Sequence, residues 1–144
     1  MEILVTRLHS DAVVPDTAHP GDAGWDLVAV EPAHLAAGGG RALVATGLAI
    51  AIPEGYGGFV LPRSGLATRH GVTCANAPGL IDSGYRGEVK VALVNLDPSD
   101  DYEVAPGDRI AQLVVLAIAP ATYRLVAALP ESHRGDGGFG SSGR

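Results

Sequence analysis

The stretch Glu88-Val89-Lys90-Val91-Ala92-Leu93-Val94 carries the clearest indication of the fold. Apolar residues occupy its odd-numbered positions, and residues of mixed character occupy the positions between them. A period of two is typical of a β-strand that buries one face and exposes the other. The stretch therefore predicts a half-buried strand, and the sequence on either side of it indicates how many similar strands accompany it.

Similar short apolar segments lie on both sides of this strand. Residues 41–52 show a comparable pattern, which ends at Pro53-Glu54-Gly55. The other strand candidates are residues 3–8, 25–30, 56–61, 102–104, 109–118 and 122–127. The chain has 20 glycines and 10 prolines, and they separate these segments with turns such as Pro106-Gly107-Asp108. Many short strands with regular turns predict an all-β sandwich, jelly roll or barrel.

Two segments depart from the strand pattern. Residues 64–71 predict a single short helix, with Ser64 as its N-cap and Gly71 as its C-terminal stop. The last eleven residues, 134–144, contain five glycines and no strand pattern. Their composition is typical of a flexible tail, in which Phe139 has no local partner that could bury it.

Composition and charge exclude several functional classes. The chain has 144 residues, of which 47% are apolar, and this suffices for one domain with a sizeable core. The longest apolar run, residues 113–119, is far too short to span a membrane, and residues 1–7 do not resemble a signal peptide. The net charge of −6 argues against nucleic-acid and anionic-membrane partners. A single cysteine, Cys74, favours a reducing compartment, so we expect a cytoplasmic location.

The start of the predicted helix could bind phosphate. A helix N-terminus presents unpaired N–H groups and a partial positive charge, and Arg63 stands directly before this one. A plain helix start beside a surface arginine is the ordinary alternative.

Residues 76–87 predict a tight hairpin that could carry a general base. Asp82 follows two apolar residues, so partial desolvation could prepare its carboxylate to accept a proton. Tyr85 could pack its ring against a sugar or a base. A turn aspartate beside a packed tyrosine is an equally good interpretation of the local pattern.

Two further stretches contain candidate polar groups. Asp26, in Ala23-Gly24-Trp25-Asp26-Leu27, could hold waters on a hard cation, or it could serve in a turn. Arg109 and Gln112 follow a turn, where an aspartate–arginine pair is the ordinary interpretation. The sequence has no histidine or cysteine cluster with zinc spacing and no phosphate-binding loop of the Gly-x-x-x-x-Gly-Lys type.

Taken in order, these stretches resemble the five motifs of the trimeric dUTPase family, the deoxyuridine 5'-triphosphate nucleotidohydrolases. The matching residues are 23–27, 62–67, 76–95, 107–112 and 134–142. The resemblance implies an all-β jelly-roll subunit of the dUTPase-like β-clip type, with one short helix. It also implies a homotrimer, in which residues 1–130 form the β domain and residues 131–144 form a glycine-rich arm that closes over the active site.

The same resemblance implies a reaction. The enzyme would hydrolyse dUTP to dUMP and pyrophosphate, which supplies dUMP for thymidylate synthesis and keeps uracil out of DNA. Asp82 would be the general base for a water that attacks the α-phosphorus in line. Mg²⁺ would be the cofactor, and Asp26 would contact it through water.

The implied substrate contacts come from more than one subunit. The phosphate contacts are Arg63, Ser64, Gly65, Gln112 and, from the arm, Arg134. The nucleoside contacts are Asn76, Gly79, Leu80, Ile81, Asp82, Tyr85 and Phe139, with Lys90 and Gly140 as further substrate contacts. The hairpin would select uracil, because cytosine would leave a buried polar group unpaired. Tyr85 would pack on the deoxyribose and leave no room for a 2′-hydroxyl.

Two other functions remain open on the sequence. A dCTP deaminase shares the fold, but it would need a catalytic glutamate and would lack the glycine-rich fifth motif. A non-catalytic dUTPase-like protein could bind nucleotide as a regulator, but such a protein could lose Asp82 or the tail, and this chain keeps both. Trp25 is bulkier than the first motif leads us to expect, and it could pack at a subunit interface.

Overall fold

The computed structural model describes residues 1–17 and 19–138, and β-strands account for most of its regular structure. The elements in chain order are β1 (Leu4–Arg7), β2 (Trp25–Val28), β3 (Ala33–Leu35), β4 (Arg41–Ala51), β5 (Tyr56–Leu61), α1 (Ser64–His70), β6 (Val72–Cys74), β7 (Gly79–Ile81), β8 (Glu88–Asn95), β9 (Tyr102–Val104) and β10 (Arg109–Ala117).

Two four-stranded antiparallel sheets and a two-stranded ribbon contain all of these strands. One sheet has the order β1-β4-β8-β6, the other has the order β2-β10-β5-β7, and β3 pairs with β9. Buried residues from both sheets and from the ribbon form one hydrophobic core. The expected all-β, jelly-roll architecture with one short helix is therefore confirmed.

The alternation in β8 is the period of two that the sequence predicts. Val89, Val91 and Leu93 are buried, as is Asn95 at the end of the strand. The Asn95 side chain donates hydrogen bonds to the carbonyl oxygens of Leu35 and Asp100, at 3.1 and 2.8 Å. It also accepts one from the Asp97 amide at 3.0 Å, so the buried amide is satisfied and links β8 to the ribbon.

The long strand β4 is irregular at its centre. Its pairing with β8 shifts between Ala45 and Ala49, and Gly47 lies there with φ of 65°. A Cβ on Gly47 would lie 2.7 Å from the Cβ of His9, so both the backbone conformation and the space require glycine. β4 pairs with β8 mainly through residues 41–45, before this bulge, and with β1 through residues 48–51, after it.

The structure differs from the sequence predictions at several points. Helix α1 does end at Gly71, which has φ of 65°, but its N-cap residue is Arg63 and not Ser64. The prediction of Ser64 as N-cap was wrong because the chain enters the helix one residue earlier, so Ser64 is already helical. The short strands β3 and β6 were not predicted from the sequence.

The predicted strand at residues 122–127 is also absent from the described structure. Tyr123 and Leu125 are both 100% exposed, and this segment is paired to no strand of its own chain. The only helix in the described ranges, α1, has seven residues. Those ranges contain no helix that is long and apolar enough to cross a membrane.

Candidate active site

Three separate parts of the sequence meet in one open cleft of about 480 Å³. They are the segment leading into β2, the junction between β5 and α1, and the start of β10. We call it the arginine cleft, and its lining residues are Asp22, Ala23, Gly24, Asp26, Arg63, Ser64, Gly65, Arg109 and Gln112.

Strand register explains this convergence. β10 lies between β2 and β5, so Gln112 has Asp26 on one side and Leu61 on the other. Arg63 follows β5 by two residues and therefore lies beside the same part of β10. The structure thus brings together Asp26, Arg63, Ser64, Gly65 and Gln112, which the sequence assigned to the phosphate and metal contacts.

The carboxylate of Asp26 holds two arginines. Its Oδ1 lies 3.1 Å from Nε of Arg63, and its Oδ2 lies 3.1 Å from Nη1 of Arg109. Nη1 of Arg63 also donates to the carbonyl oxygen of Arg109 at 2.9 Å. The Asp26 side chain is only 22% exposed, so solvent screens these ion pairs less than it screens surface pairs.

Gln112 is fixed by two neighbours. Its Nε2 donates to the carbonyl oxygen of Pro62 at 3.0 Å. A Cβ on Gly24 would lie 2.4 Å from its Oε1, so the Gln112 side chain would have to shift from this position if residue 24 were not glycine. The sequence did not assign a role to Gly24, although its position in the first motif placed it two residues from Asp26.

The start of α1 opens onto the same cleft. The first helical hydrogen bond runs from the Ala67 amide to the Arg63 carbonyl oxygen at 3.0 Å, so the amides of Ser64 and Gly65 precede the bonded turns. Within the described residues no side chain caps this end, and its first turn has no acidic residue. Uncapped amides beside two arginines are well suited to an anion.

A second cleft, of about 510 Å³, lies along the hairpin. We call it the hairpin cleft, and it is lined by Leu43, Leu80, Ile81, Asp82, Tyr85, Glu88, Val89 and Lys90. β7 is the edge strand of its sheet, so one side of its backbone is left without a strand partner among the described elements. The Tyr85 amide donates to the Asp82 carbonyl oxygen at 3.0 Å and closes the turn after β7.

Tyr85 is held by contacts within the turn. Its hydroxyl donates to the carbonyl oxygen of Glu88 at 2.8 Å. A Cβ on Gly87 would lie 2.7 Å from the ring carbon Cζ, so the ring lies directly against this glycine. The side chain nevertheless stays 44% exposed, and it can contact a ligand in the hairpin cleft.

Lys90 is positioned by a carboxylate that the sequence did not single out. Its Nζ lies 3.3 Å from Oε2 of Glu88, whose Oε1 accepts a hydrogen bond from the Gly47 amide at 2.9 Å. The bulge in β4 therefore fixes Glu88, and Glu88 in turn places the lysine.

Asp82 differs from the expectation of a partly desolvated base. Its neighbour Ile81 is buried, but Leu80 is 61% exposed and Asp82 itself is exposed in the single chain. The reason is that Leu80 points away from the core at the sheet edge, so only one of the two apolar neighbours can shield the turn.

The two clefts are far apart within one chain. Ile81 pairs with Gly58 on β5, so Asp82 lies beside Gly57, whereas Arg63 follows Gly57 by six residues. At about 3.3 Å per residue, this places Asp82 roughly 20 Å from Arg63 along the strand direction. The clefts share no lining residue, so a single chain does not bring the predicted base to the predicted phosphate site.

The remaining predicted contacts lie near the hairpin or in the tail. Asn76 is exposed at the start of the hairpin. Its Nδ2 lies 3.3 Å from the position that a Cβ on Gly79 would occupy. Arg134 is exposed, donates from Nε to the Gly137 carbonyl oxygen at 2.7 Å, and lines neither cleft. Phe139 and Gly140 lie outside the described residues.

Two other side chains bear on the site's chemistry. Cys74 is buried, and this burial raises the pKa of its thiol, so it is a packed side chain and not a nucleophile. Trp25 lines an apolar cavity of about 180 Å³ with Ile3, Val14 and Leu113, next to the arginine cleft but not in it.

The residues of the arginine cleft fit a magnesium ion that is held mainly by a ligand. In the described ranges no three histidine, cysteine or acidic residues are grouped as a metal site. Mg²⁺ often binds through one or two carboxylates plus substrate phosphates, and it keeps several waters. Each oxygen of Asp26 has a further lone pair beyond its arginine contact, so it can accept a hydrogen bond from such a water.

Comparison with known proteins identifies the family of the chain. The profile of the dUTPase family matches residues 10–143. This chain belongs to the dUTPase family. The chain is 53% identical over 143 residues to the deoxyuridine 5'-triphosphate nucleotidohydrolase of Thermobifida fusca (strain YX), a match that covers 99% of this chain and 79% of the relative. It is 56% identical over 130 residues to that of Leifsonia xyli subsp. xyli, covering 90% and 85%.

Solved dUTPase structures share the fold. The Staphylococcus bacteriophage 80alpha dUTPase with dUPNHPP superposes with a TM-score of 0.91 and 29% identity, covering 99% of both chains. A mutant dUTPase from phage phi11 of S. aureus, described with a structural Mg(II) ion, superposes with a TM-score of 0.81 and 27% identity, covering 91% of this chain and all of the other.

Proposed function

We propose that this dUTPase-family chain is a dUTP diphosphatase, which hydrolyses dUTP to dUMP and pyrophosphate. The observation that carries the proposal is the pair of clefts, one with arginines and a helix start, the other with a carboxylate and an edge strand. The relatives named deoxyuridine 5'-triphosphate nucleotidohydrolase, which match nearly the whole chain, support it.

The arginine cleft binds the triphosphate in this proposal. Arg63 and Arg109 offer guanidinium groups, which suit phosphate oxygens because their donors form a rigid fork. The amides of Ser64 and Gly65 and the side chain of Gln112 complete the contacts. Arg109 was not among the contacts expected from the sequence, and we add it because it lines this cleft.

The hairpin cleft binds the nucleoside and supplies the base. As an edge strand, β7 can pair its backbone at Gly79, Leu80 and Ile81 with the edge of uracil, as it would with another strand. Asn76 stands at the start of this edge. Cytosine reverses a donor and an acceptor on that edge, so it would leave polar groups unpaired.

The remaining roles in the hairpin cleft concern the sugar and the water. Tyr85 packs on the deoxyribose, and Lys90 contacts the substrate from β8. A water attacks the α-phosphorus, and its proton moves from the water oxygen to a carboxylate oxygen of Asp82. The new P–O bond to the water oxygen forms as the P–O bond to pyrophosphate breaks. A general base of this kind contributes roughly 10²–10⁴ in rate.

In a homotrimer, the arginine cleft of one copy could lie beside the hairpin cleft of another. Asp82 is roughly 20 Å from Arg63 in one chain, a distance that no single α-phosphate can bridge, so in this proposal the base and the phosphate contacts come from different copies. The apolar side chains of Tyr123, Leu125 and Leu129 are exposed in the single chain and would be available for contacts in such an assembly.

The arm and the cofactor complete the proposal. Residues 131–144 act as an arm that closes over the site of an assembled trimer, with Arg134, Phe139 and Gly140 contacting the substrate. Mg²⁺, held by the phosphates and by water on Asp26, would offset negative charge on the triphosphate. We expect no nucleic-acid or membrane partner, and the cytoplasm as the location.

A substrate panel tests this function. Purified protein with Mg²⁺ should release pyrophosphate from dUTP at least a hundredfold faster than from dCTP, dTTP or UTP. Asp82→Asn should still bind dUpNHpp, yet lose most turnover, while Asp11→Asn, at an exposed carboxylate that lines neither cleft, serves as a control. Release of ammonia from dCTP would instead reveal a deaminase, and binding without turnover by the unmodified protein would reveal a regulator.

A further inference from the structure

We propose that Asp26 is a placeholder for the phosphates of the substrate. In the nucleotide-free protein its carboxylate holds Arg63 and Arg109, and it gives up at least one of them when a triphosphate enters the arginine cleft. This inference rests on the proposed function, and it adds a role for Asp26 that differs from a simple water-mediated metal contact.

The contacts of Asp26 are those that a phosphate would make. A carboxylate and a phosphate both bind guanidinium groups through two oxygens, and each Asp26 oxygen takes one arginine at 3.1 Å. The carboxylate lines the same cleft as Ser64, Gly65 and Gln112. An incoming phosphate would therefore meet both its partners and a competing negative charge.

The backbone contact of Arg63 shows how the exchange can proceed. Nη1 of Arg63 donates to the Arg109 carbonyl oxygen at 2.9 Å, so this guanidinium stays anchored when its Nε leaves Asp26. The Arg109 side chain is 54% exposed, and its guanidinium has donors beyond the Nη1 that contacts Asp26. Either arginine can turn to the ligand without leaving the cleft.

The exchange has a consequence for the cation. When Asp26 releases one arginine, the carboxylate oxygen that held it becomes free to accept hydrogen bonds from water on a cation. Nucleotide and Mg²⁺ should therefore promote each other's binding. The phosphates would bind the arginine that an opened ion pair releases, and water on Mg²⁺ would bind the carboxylate oxygen that the same ion pair releases. Without a cation, the released carboxylate is left facing the phosphates and opposes them.

A binding experiment separates this role from that of a simple clamp. We would measure the affinity for dUpNHpp by calorimetry, with the full-length protein, in EDTA and in Mg²⁺. Asp26→Asn should bind about tenfold more tightly than the unmodified protein in EDTA, because one like charge a few ångström from the phosphates is gone. In Mg²⁺ the same variant should bind about tenfold more weakly. If Asp26 instead acted as a clamp that only holds the two arginines in place for the ligand, the variant would bind more weakly in both conditions. That result would overturn the proposal.

Asp22→Asn is the matched control. Asp22 lines the same cleft, but its Oδ2 accepts a hydrogen bond from the His19 amide and is paired with neither arginine. Its neutralisation should shift the affinity in the same direction in both conditions. A sign reversal in this variant equal to that of Asp26→Asn would show that the arginine contacts are irrelevant, and the proposal would fall.

A structural measurement needs no variant. In a crystal of the unmodified protein with dUpNHpp and Mg²⁺, at least one of the two Asp26–arginine contacts should open beyond about 4 Å, the usual limit of an ion pair. Persistence of both contacts would overturn the exchange. Failure of the unmodified protein to bind dUpNHpp in Mg²⁺ would instead count against the proposed function itself.

Discussion

Replacement of Gly87 by alanine should reduce the ability of the enzyme to distinguish deoxyribose from ribose. The new methyl group would lie 2.7 Å from Cζ of Tyr85 and 2.5 Å from its hydroxyl. Ordinary carbon–carbon contact begins at about 3.5 Å, so the ring must move by roughly 0.8 Å. This movement carries the tyrosine away from the place that the sugar would occupy.

The magnitude follows from the contacts of Tyr85. Loss of its hydrogen bond to the Glu88 carbonyl oxygen would cost about 1 kcal/mol of folding stability, which the trimer should tolerate. A displacement near 1 Å in a positioned group can cost up to about 10² in rate. We therefore expect kcat/KM for dUTP to fall between about tenfold and a hundredfold, while kcat/KM for UTP stays unchanged or rises.

The assay is pyrophosphate release from dUTP and from UTP, measured at several concentrations of each. Gly84→Ala is the control, because a Cβ at Gly84 in the same turn meets no atom within 4 Å. It should leave both rates near those of the unmodified protein. An unchanged ratio of kcat/KM for dUTP and UTP in Gly87→Ala would refute the role assigned to the ring.

Three further perturbations test other parts of the structure. Gly47→Ala should lower the free energy of unfolding by about 2–4 kcal/mol, because the alanine would have a strained positive φ and a Cβ 2.7 Å from that of His9. Gly38→Ala has a positive φ but open space around it, so it should lower the free energy of unfolding by less. Denaturant titration of both variants measures the difference. The hydrogen bond to Glu103 raises the pKa of His34 above its ordinary 6.5, so this pair should stabilise the protein below about pH 6.5 and lose its effect as the pH rises through the raised pKa; His34→Gln should remove that part of the pH dependence of Tm. Truncation after Ser132 should leave an assembled protein by light scattering with little turnover, and full turnover would contradict the role of the arm.

Local sequence predicted the strands where burial alternates. β8 could be recognised because Val89, Val91 and Leu93 face the core on a regular strand. In β4 the bulge at Gly47 breaks the period, yet the segment is long enough to identify. Residues 122–127 have strand composition but no partner edge in their own chain, and local pattern contains no information about which edge a strand will meet.

The site could be predicted only in part for the same reason. The five motifs name candidate residues, and the structure places three of these, Asp26, Arg63 and Gln112, in one cleft. The ion pairs from Asp26 to two arginines were not predicted, because they depend on β10 lying between β2 and β5. Glu88 was missed as well, since its role depends on the amide of Gly47, which is distant in sequence.

Binding of a triphosphate by an acidic chain presents an electrostatic problem, which the proposed role of the arginine cleft would resolve. The net charge of −6 is spread over the whole chain, and at physiological ionic strength charges more than about 8 Å away are largely screened. A phosphate in the cleft therefore responds mainly to its immediate neighbours, which are two arginines, the uncapped start of α1 and the carboxylates of Asp22 and Asp26. Because Asp26 already neutralises part of the arginine charge, the free cleft has little excess charge to attract unrelated anions. In the exchange that we propose, a ligand that brings its own cation releases that charge at lower cost than a bare anion does, and a triphosphate with Mg²⁺ is such a ligand.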